Sequence, residues 1–128
     1  MGVVAEQIHQ RALVLYGQTK RDGLIDEVRT AEYNGKCIPL LNQILQEIAF
    51  SEGKNEAIEI QQLADYVTIS DNSALRVAPF GLAMLFALTD GDMEMFDFFS
   101  HKYEFGKSTI RRVGYPMEDV YGVLSGMR

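Results

Sequence analysis

The stretch Ala78-Pro79-Phe80-Gly81-Leu82-Ala83-Met84-Leu85-Phe86-Ala87-Leu88 constrains this chain more than any other. It has no charged side chain and is apolar on nearly every side of a helix, and such a helix has to be surrounded by other elements. Just before it stands Ser70-Asp71-Asn72-Ser73, a dense cluster of residues that cap helix N-termini. The pattern predicts one helix starting in that cluster and running through Leu88. Leu75, Ala78, Leu82, Leu85 and Phe86 share its broad face, with Val77, Met84 and Leu88 widening it and a slight bend at Pro79. It should be the central and most buried element.

Asp90-Gly91-Asp92 reads as a tight exit: Gly91 suits the end of one helix and Asp92 the cap of the next. Asp90, Asp92 and Glu94 invite a calcium reading, but the twelve-residue ligand pattern ending in Glu is absent, and capping with dipole complementarity explains them better. The next helix is expected from Met93 to Arg112, with Phe96, Phe99, Tyr103 and Ile110 as its apolar stripe and Met95 and Phe98 alongside. Gly106 should weaken its middle by about 1 kcal/mol relative to alanine.

Upstream, Val4, Ile8, Ala12 and Leu15 recur at helical spacing between Val3 and Gly17. Leu24 to Phe50 holds a second periodic segment, in which Cys37, Leu41, Ile44 and Ile48 would share one face. Pro39 should break or kink it, because its ring presses on the carbonyl of Gly35. Ser51 to Ala57 reads as a polar surface loop, and Ile58 to Ile69 as ambiguous between a short extended pair and an ordered loop. The expected fold is all-α: a small bundle of about four to five helices, with an irregular or short extended segment between residues 57 and 70 and an extended C-terminal tail.

At 128 residues the chain makes one ordinary domain, large enough to bury a core without disulfides or metals. The net charge of −6 disfavours general nucleic-acid binding, which rests on neutralising phosphate. Lys20-Arg21, and Lys102 with Lys107, Arg111 and Arg112, read as solvated positions rather than a basic face. Cys37, the single cysteine, reads as a small core residue. No run reaches the ~18 apolar residues of a membrane span, and the first residues lack a signal-peptide pattern.

Standard catalytic constellations are missing from the sequence: it has no phosphate loop, no dinucleotide fingerprint and no nucleophile elbow. Glu6 with His9 reads as a surface pair. Asp97 with His101, four residues apart in an aromatic-rich stretch, would be the first choice if the protein were an enzyme. No catalytic, cofactor or metal residue is expected. The chain after residue 114 is different in kind. It is short and glycine-rich, yet carries Tyr115, Pro116, Met117, Val120, Tyr121, Val123 and Leu124. Such a tail either packs back on its own domain or docks on a partner; we read residues 1–114 as a helical domain and 115–128 as a docking tail, because aromatic and methionine anchors are what interfaces use.

The order of these features resembles a known family. Leu40 to Ile48 (Leu-Leu-Asn-Gln-Ile-Leu-Gln-Glu-Ile) precedes an irregular stretch. Pro79-Phe80-Gly81-Leu82-Ala83 and Leu85-Phe86-Ala87-Leu88-Thr89-Asp90-Gly91-Asp92 follow, then Phe98-Phe99 with Lys102-Tyr103-Glu104, then Pro116-Met117-Glu118-Asp119-Val120-Tyr121-Gly122. Over roughly Leu40 to Gly122 this is similar to the small helical head–tail connector, or adaptor, proteins of tailed bacteriophages and prophages of Gram-positive bacteria. The resemblance implies that residues 1–114 are a helical connector-like domain, in a structural virion protein made in the host cytoplasm and placed in the neck. It implies a ring, usually a dodecamer, under the portal protein and above a downstream neck or stopper protein. DNA would pass through the channel without sequence-specific binding. It also implies a C-terminal segment that reaches the portal or an adjacent subunit. The alternatives are a tail-assembly chaperone or other helical interaction module, and a helix–turn–helix regulator between Ala74 and Arg112, which the acidic Asp90-Gly91-Asp92 turn disfavours.

Overall fold

The computed structural model describes residues 2–17 and 27–110. The fold is all-α, as expected: α1 (Ala5–Leu15), α2 (Glu27–Ser51), α3 (Asp71–Arg76), α4 (Ala78–Asp90) and α5 (Met93–Ser108). Among the described residues no strand forms, and one isolated antiparallel bridge joins Val4 to Tyr66.

α4 is the hub. It packs against all four other helices, and Ala78, Leu82, Ala83, Leu85 and Phe86 along it are buried. Its small residues let neighbours approach the backbone. A Cβ at Gly81 would lie 2.7 Å from the Tyr103 ring of α5 and 2.9 Å from Ile44 Cδ1 of α2, so only glycine fits between them. Gly91 ends α4 in the left-handed conformation (φ 76°), and Asp92 caps α5 by accepting from the Met95 amide at 3.2 Å, both as read from the sequence.

The long helix expected from Ser70 to Leu88 is two helices. Ser70 caps the first, accepting from the Ser73 amide at 3.2 Å, and the chain turns at Val77 before α4 begins with Pro79 in its first turn. In one continuous helix Pro79 would have to donate to the Leu75 carbonyl. It has no N–H to do so, and its ring clashes there. The Leu75 carbonyl instead accepts from Arg11 Nη1 at 3.4 Å. The joint is braced by α5, where Gly106 lets Val77 approach: a Cβ at 106 would stand 3.2 Å from Val77 Cγ2. The glycine that weakens α5 intrinsically is thus a packing residue.

Pro39, by contrast, does not break its helix; α2 runs uninterrupted through it. Tyr33 and Cys37 before it, and Leu41, Ile44 and Ile48 after it, are all buried, while Pro39 and Gly35 are exposed. The lost bond and the ring clash cost about 3 kcal/mol, and several buried side chains at roughly 1.5–3 kcal/mol each outweigh it. On α1 the buried face is Ala5, Ile8, His9, Ala12 and Leu13, so the stripe is rotated from the expected one and Leu15 is exposed. The rotation follows from how the helix is pinned: the Ala5 amide donates to the Asp65 carbonyl and the Val67 amide to the Val3 carbonyl, both at 2.9 Å.

The segment between residues 57 and 70 is irregular, and α2 supplies the partners that a second strand would have supplied. Gln46 donates to the Ala57 carbonyl at 2.7 Å and accepts its amide at 3.2 Å. Asn42 does the same for Ile60, at 3.1 Å and 2.8 Å. Ala57 and Ile60 are buried, whereas Ile58 between them is 72% exposed.

Two glycine substitutions should separate packing from propensity. Gly81→Ala should destabilise the fold by about 1–3 kcal/mol through overpacking. Gly35→Ala, at an exposed helix position with nothing within 4 Å of the new Cβ, should stabilise it by up to about 1 kcal/mol. Urea denaturation of the two variants beside the parent chain checks both signs.

Candidate functional site

Most residues singled out for chemistry turn out to be tied into packing. His9 is not a surface partner of Glu6. It is fully buried, its Nε2–H donates to Asn34 Oδ1 at 2.6 Å, and its ring meets Phe86 edge-on with centroids 5.8 Å apart. Burial lowers its pKa against the smaller opposing effects of Asn34 and Glu6, and Nδ1 has no hydrogen-bond partner among the described residues. Cys37 is buried as expected, and burial pushes its thiol up to about 12. The Asp97/His101 dyad is not assembled. His101 Nδ1–H donates to the Asp97 main-chain carbonyl at 2.9 Å, on an exposed face, and the carboxylate takes no part.

Two carboxylates the sequence reading passed over, or took only as turn residues, are structural anchors. Asp90 accepts from the hydroxyls of Tyr16 (3.0 Å) and Tyr33, and faces Lys36 Nζ at 3.5 Å. Burial alone would raise its pKa, but the two hydroxyls and the ammonium outweigh that and hold it below the usual range. Glu52 lies in the stretch read as a surface loop, yet it is 2% exposed. It accepts from the Ser70 amide at 3.1 Å and the Ser73 hydroxyl at 2.8 Å, and pairs with Lys54 at 3.2 Å. Burial raises its pKa and those hydrogen bonds more than reverse the shift. Glu52 therefore ties the end of α2 to the start of α3. Asp90 and Glu52 each draw partners from distant parts of the chain, which no local pattern reveals.

What remains open is a groove. The rotation of α1 leaves Val14 58% and Leu15 37% exposed, opposite Leu75 of α3 and Pro79 and Phe80 of α4. Together they line an apolar depression of about 590 Å³, with Arg11 and Arg76 among its walls. Arg76 and Phe80 also line a second depression of about 820 Å³, where Val77, Phe105 and Ile110 meet Lys102 and, on its polar side, Glu52, Ser70, Asn72 and Ser73. The cations there differ from those elsewhere. Lys36 pairs with Asp90, Lys54 with Glu52, and Lys107 with Glu47 and Glu104. Arg11, Arg76 and Lys102 have no carboxylate partner among the described residues; Lys102 instead lies over the Phe98 ring, 5.5 Å from its centroid. Lys102 and Lys107 therefore do not act together as one basic face. Lys20, Arg21, Arg111 and Arg112, and the tail residues Tyr115, Pro116, Met117, Val120, Tyr121, Val123 and Leu124, lie outside the described residues.

Comparison with protein-family models, with curated proteins and with solved structures finds no match.

Two measurements test the anchors. Glu52→Gln should cost about 1–3 kcal/mol of stability, because it removes the charge that pairs with Lys54 through Oε1 and that strengthens the two hydrogen bonds Oε2 accepts from Ser70 and Ser73. The second concerns pH. With its folded pKa lowered, His9 takes up protons more readily unfolded than folded. Its contribution is complete above the unfolded value near 6.5 and is lost as pH falls below that value. Asp90 and Glu52, also lowered, lose theirs only as pH falls below the ordinary carboxylate range. Thermal melting should therefore show two acid-side steps, and His9→Gln should remove the upper one while leaving the lower.

Proposed function

We propose that this chain is a head–tail connector subunit of a tailed bacteriophage or prophage, a structural protein that assembles under the portal rather than one that transforms a ligand. The observation that carries the reading is the open apolar groove of Val14, Leu15, Leu75, Pro79 and Phe80 between α1, α3 and α4, beside which Arg11 and Arg76 have no carboxylate partner among the described residues. A surface of that kind is suited to being covered by another polypeptide. The sequence likeness over Leu40 to Gly122 supports the same conclusion. Its most distinctive piece, Glu118 to Gly122, is an apolar and acidic segment suited to such a surface.

In this reading several copies, usually twelve, would form a ring that extends the DNA channel between portal and neck. The acidic balance of the chain favours passage over gripping, because a wall of net negative charge does not hold phosphate. The groove and the tail would supply the contacts to neighbouring copies, to the portal and to the next neck protein.

The test is direct. The chain, co-expressed with the portal protein of the phage or prophage that carries it, should appear by electron microscopy as a collar on one end of the portal ring. Portal rings that remain bare at saturating amounts of folded chain would refute the reading.

A further inference from the structure

We propose that α1 is a pH-gated wall of the apolar groove: when His9 takes up a proton, α1 undocks from α2 and α4 and the groove loses one side. The undocking is a property of the fold; its effect on assembly rests on the connector reading. His9 is fully buried, with its Nε2–H on Asn34 Oδ1 at 2.6 Å and its ring edge-on to Phe86. The second proton of an imidazolium has to go on Nδ1, which is buried with no hydrogen-bond partner among the described residues. A buried cation with an N–H that finds no acceptor is costly to keep folded. The surroundings do not offset that cost. Asn34 of α2 and Phe86 of α4 carry no charge, and Arg76 of α3 has the wrong sign. Glu6, one turn earlier on α1, favours the cation, but burial outweighs Glu6 and Asn34 together. The Asp65 carboxylate, in the segment that holds the start of α1, accepts from the Gln61 and Gln62 amides, and Asp90 is taken by Tyr16, Tyr33 and Lys36.

α1 is also separable from the rest. The close contact at Gly81 draws on α2, α4 and α5. α1 is an 11-residue helix whose start is held by main-chain bonds, from the Ala5 amide to the Asp65 carbonyl and from the Glu6 amide to the Leu63 carbonyl, both at 2.9 Å. Beyond His9 it is attached through side chains: Ala12 and Leu13 in the core, Arg11 Nη1 on the Leu75 carbonyl at 3.4 Å, and the Tyr16 hydroxyl on Asp90 at 3.0 Å. A short helix held in this way can open while the remainder stays folded. Arg11, Val14 and Leu15 form the α1 side of the groove, and all three follow His9 in the chain. Protonation therefore acts on the half of α1 that makes the groove. With that half undocked, Leu75, Pro79 and Phe80 no longer face an opposite wall.

The experiment is amide hydrogen exchange of the full-length chain at pH 7.5 and pH 5.5, each amide corrected for its intrinsic pH dependence. Amides of α1 should be less protected than those of α4 at both pH values, the mark of an opening smaller than global unfolding. Their protection should fall by up to about tenfold between the two, because the docked form is favoured above the unfolded histidine value and loses ground as pH drops below it. His9→Gln should abolish the fall. Asn34→Asp, at an exposed position, keeps the ring and gives its cation a carboxylate, so it should shrink or reverse the fall. It also serves where His9→Gln does not fold. Equal protection of α1 and α4, an α1 protection that ignores pH, or a fall that persists unchanged in the folded variants overturns the inference. The two readings fail separately. Collars on portal rings at neutral pH, from a chain whose α1 shows no such step, would leave the connector reading standing and remove this one. The step in α1, seen in a chain that leaves portal rings bare at every pH, would do the reverse.

Discussion

The fold turns on a place where three helices come closer than side chains normally allow. Gly81 of α4 lies under the Tyr103 ring of α5 and beside Ile44 of α2, and no other residue type fits there. The contact is apolar at its centre and polar at its margin. The Tyr103 hydroxyl donates to Glu47 at 2.8 Å, and Lys107 lies over the same ring at 4.6 Å while pairing with Glu47. Burial, with the Glu47 charge and hydrogen bond beside it, raises the tyrosine pKa, so the ring stays a neutral donor throughout the ordinary pH range. The sheer apolarity of α4 explains why it is buried; the missing side chain at 81 explains how closely its neighbours sit.

Around that centre, polar side chains do the work that secondary structure does elsewhere. Asn42 and Gln46, one turn apart on α2, each offer an amide donor and acceptor to one residue of the neighbouring irregular segment, so Ile60 and Ala57 can be buried without stranding their backbone groups. Glu52 does the same for the start of α3, and Asp90 gathers two tyrosines and a lysine at the exit of α4. Each of these groups is acceptable in a buried or half-buried place only because its partners are supplied.

The helical class, the central position of α4, the exit at Asp90-Gly91-Asp92 and the irregular middle were legible because they depend on local pattern: periodicity, caps and a left-handed glycine. Pro39 and Pro79 show where pattern alone ends. Pro79 has no N–H for the bond that one continuous helix would require of it, and the chain divides there. Pro39 presses on an exposed carbonyl in a helix held by burial on both sides, and the chain does not divide. The same residue rule applies to both, and tertiary packing decides its outcome. His9, Glu52 and the rotation of α1 were beyond reach for the same reason, since each depends on a partner far away in sequence. The groove followed from that rotation: with Leu15 assigned to the core, no opening beside Phe80 could be foreseen.

The contact between Val77 and Gly106 has a mechanical consequence. It is made on the last turns of α5, shortly before the chain passes beyond Ile110, and it falls on the hinge where α3 gives way to α4 rather than on the α4 interior. Tension transmitted along α5 from its C-terminal end would arrive first at a six-residue helix tethered by Ser70 and Glu52, whereas the Gly81 centre, which meets α5 at Tyr103, lies about one turn further back along the helix.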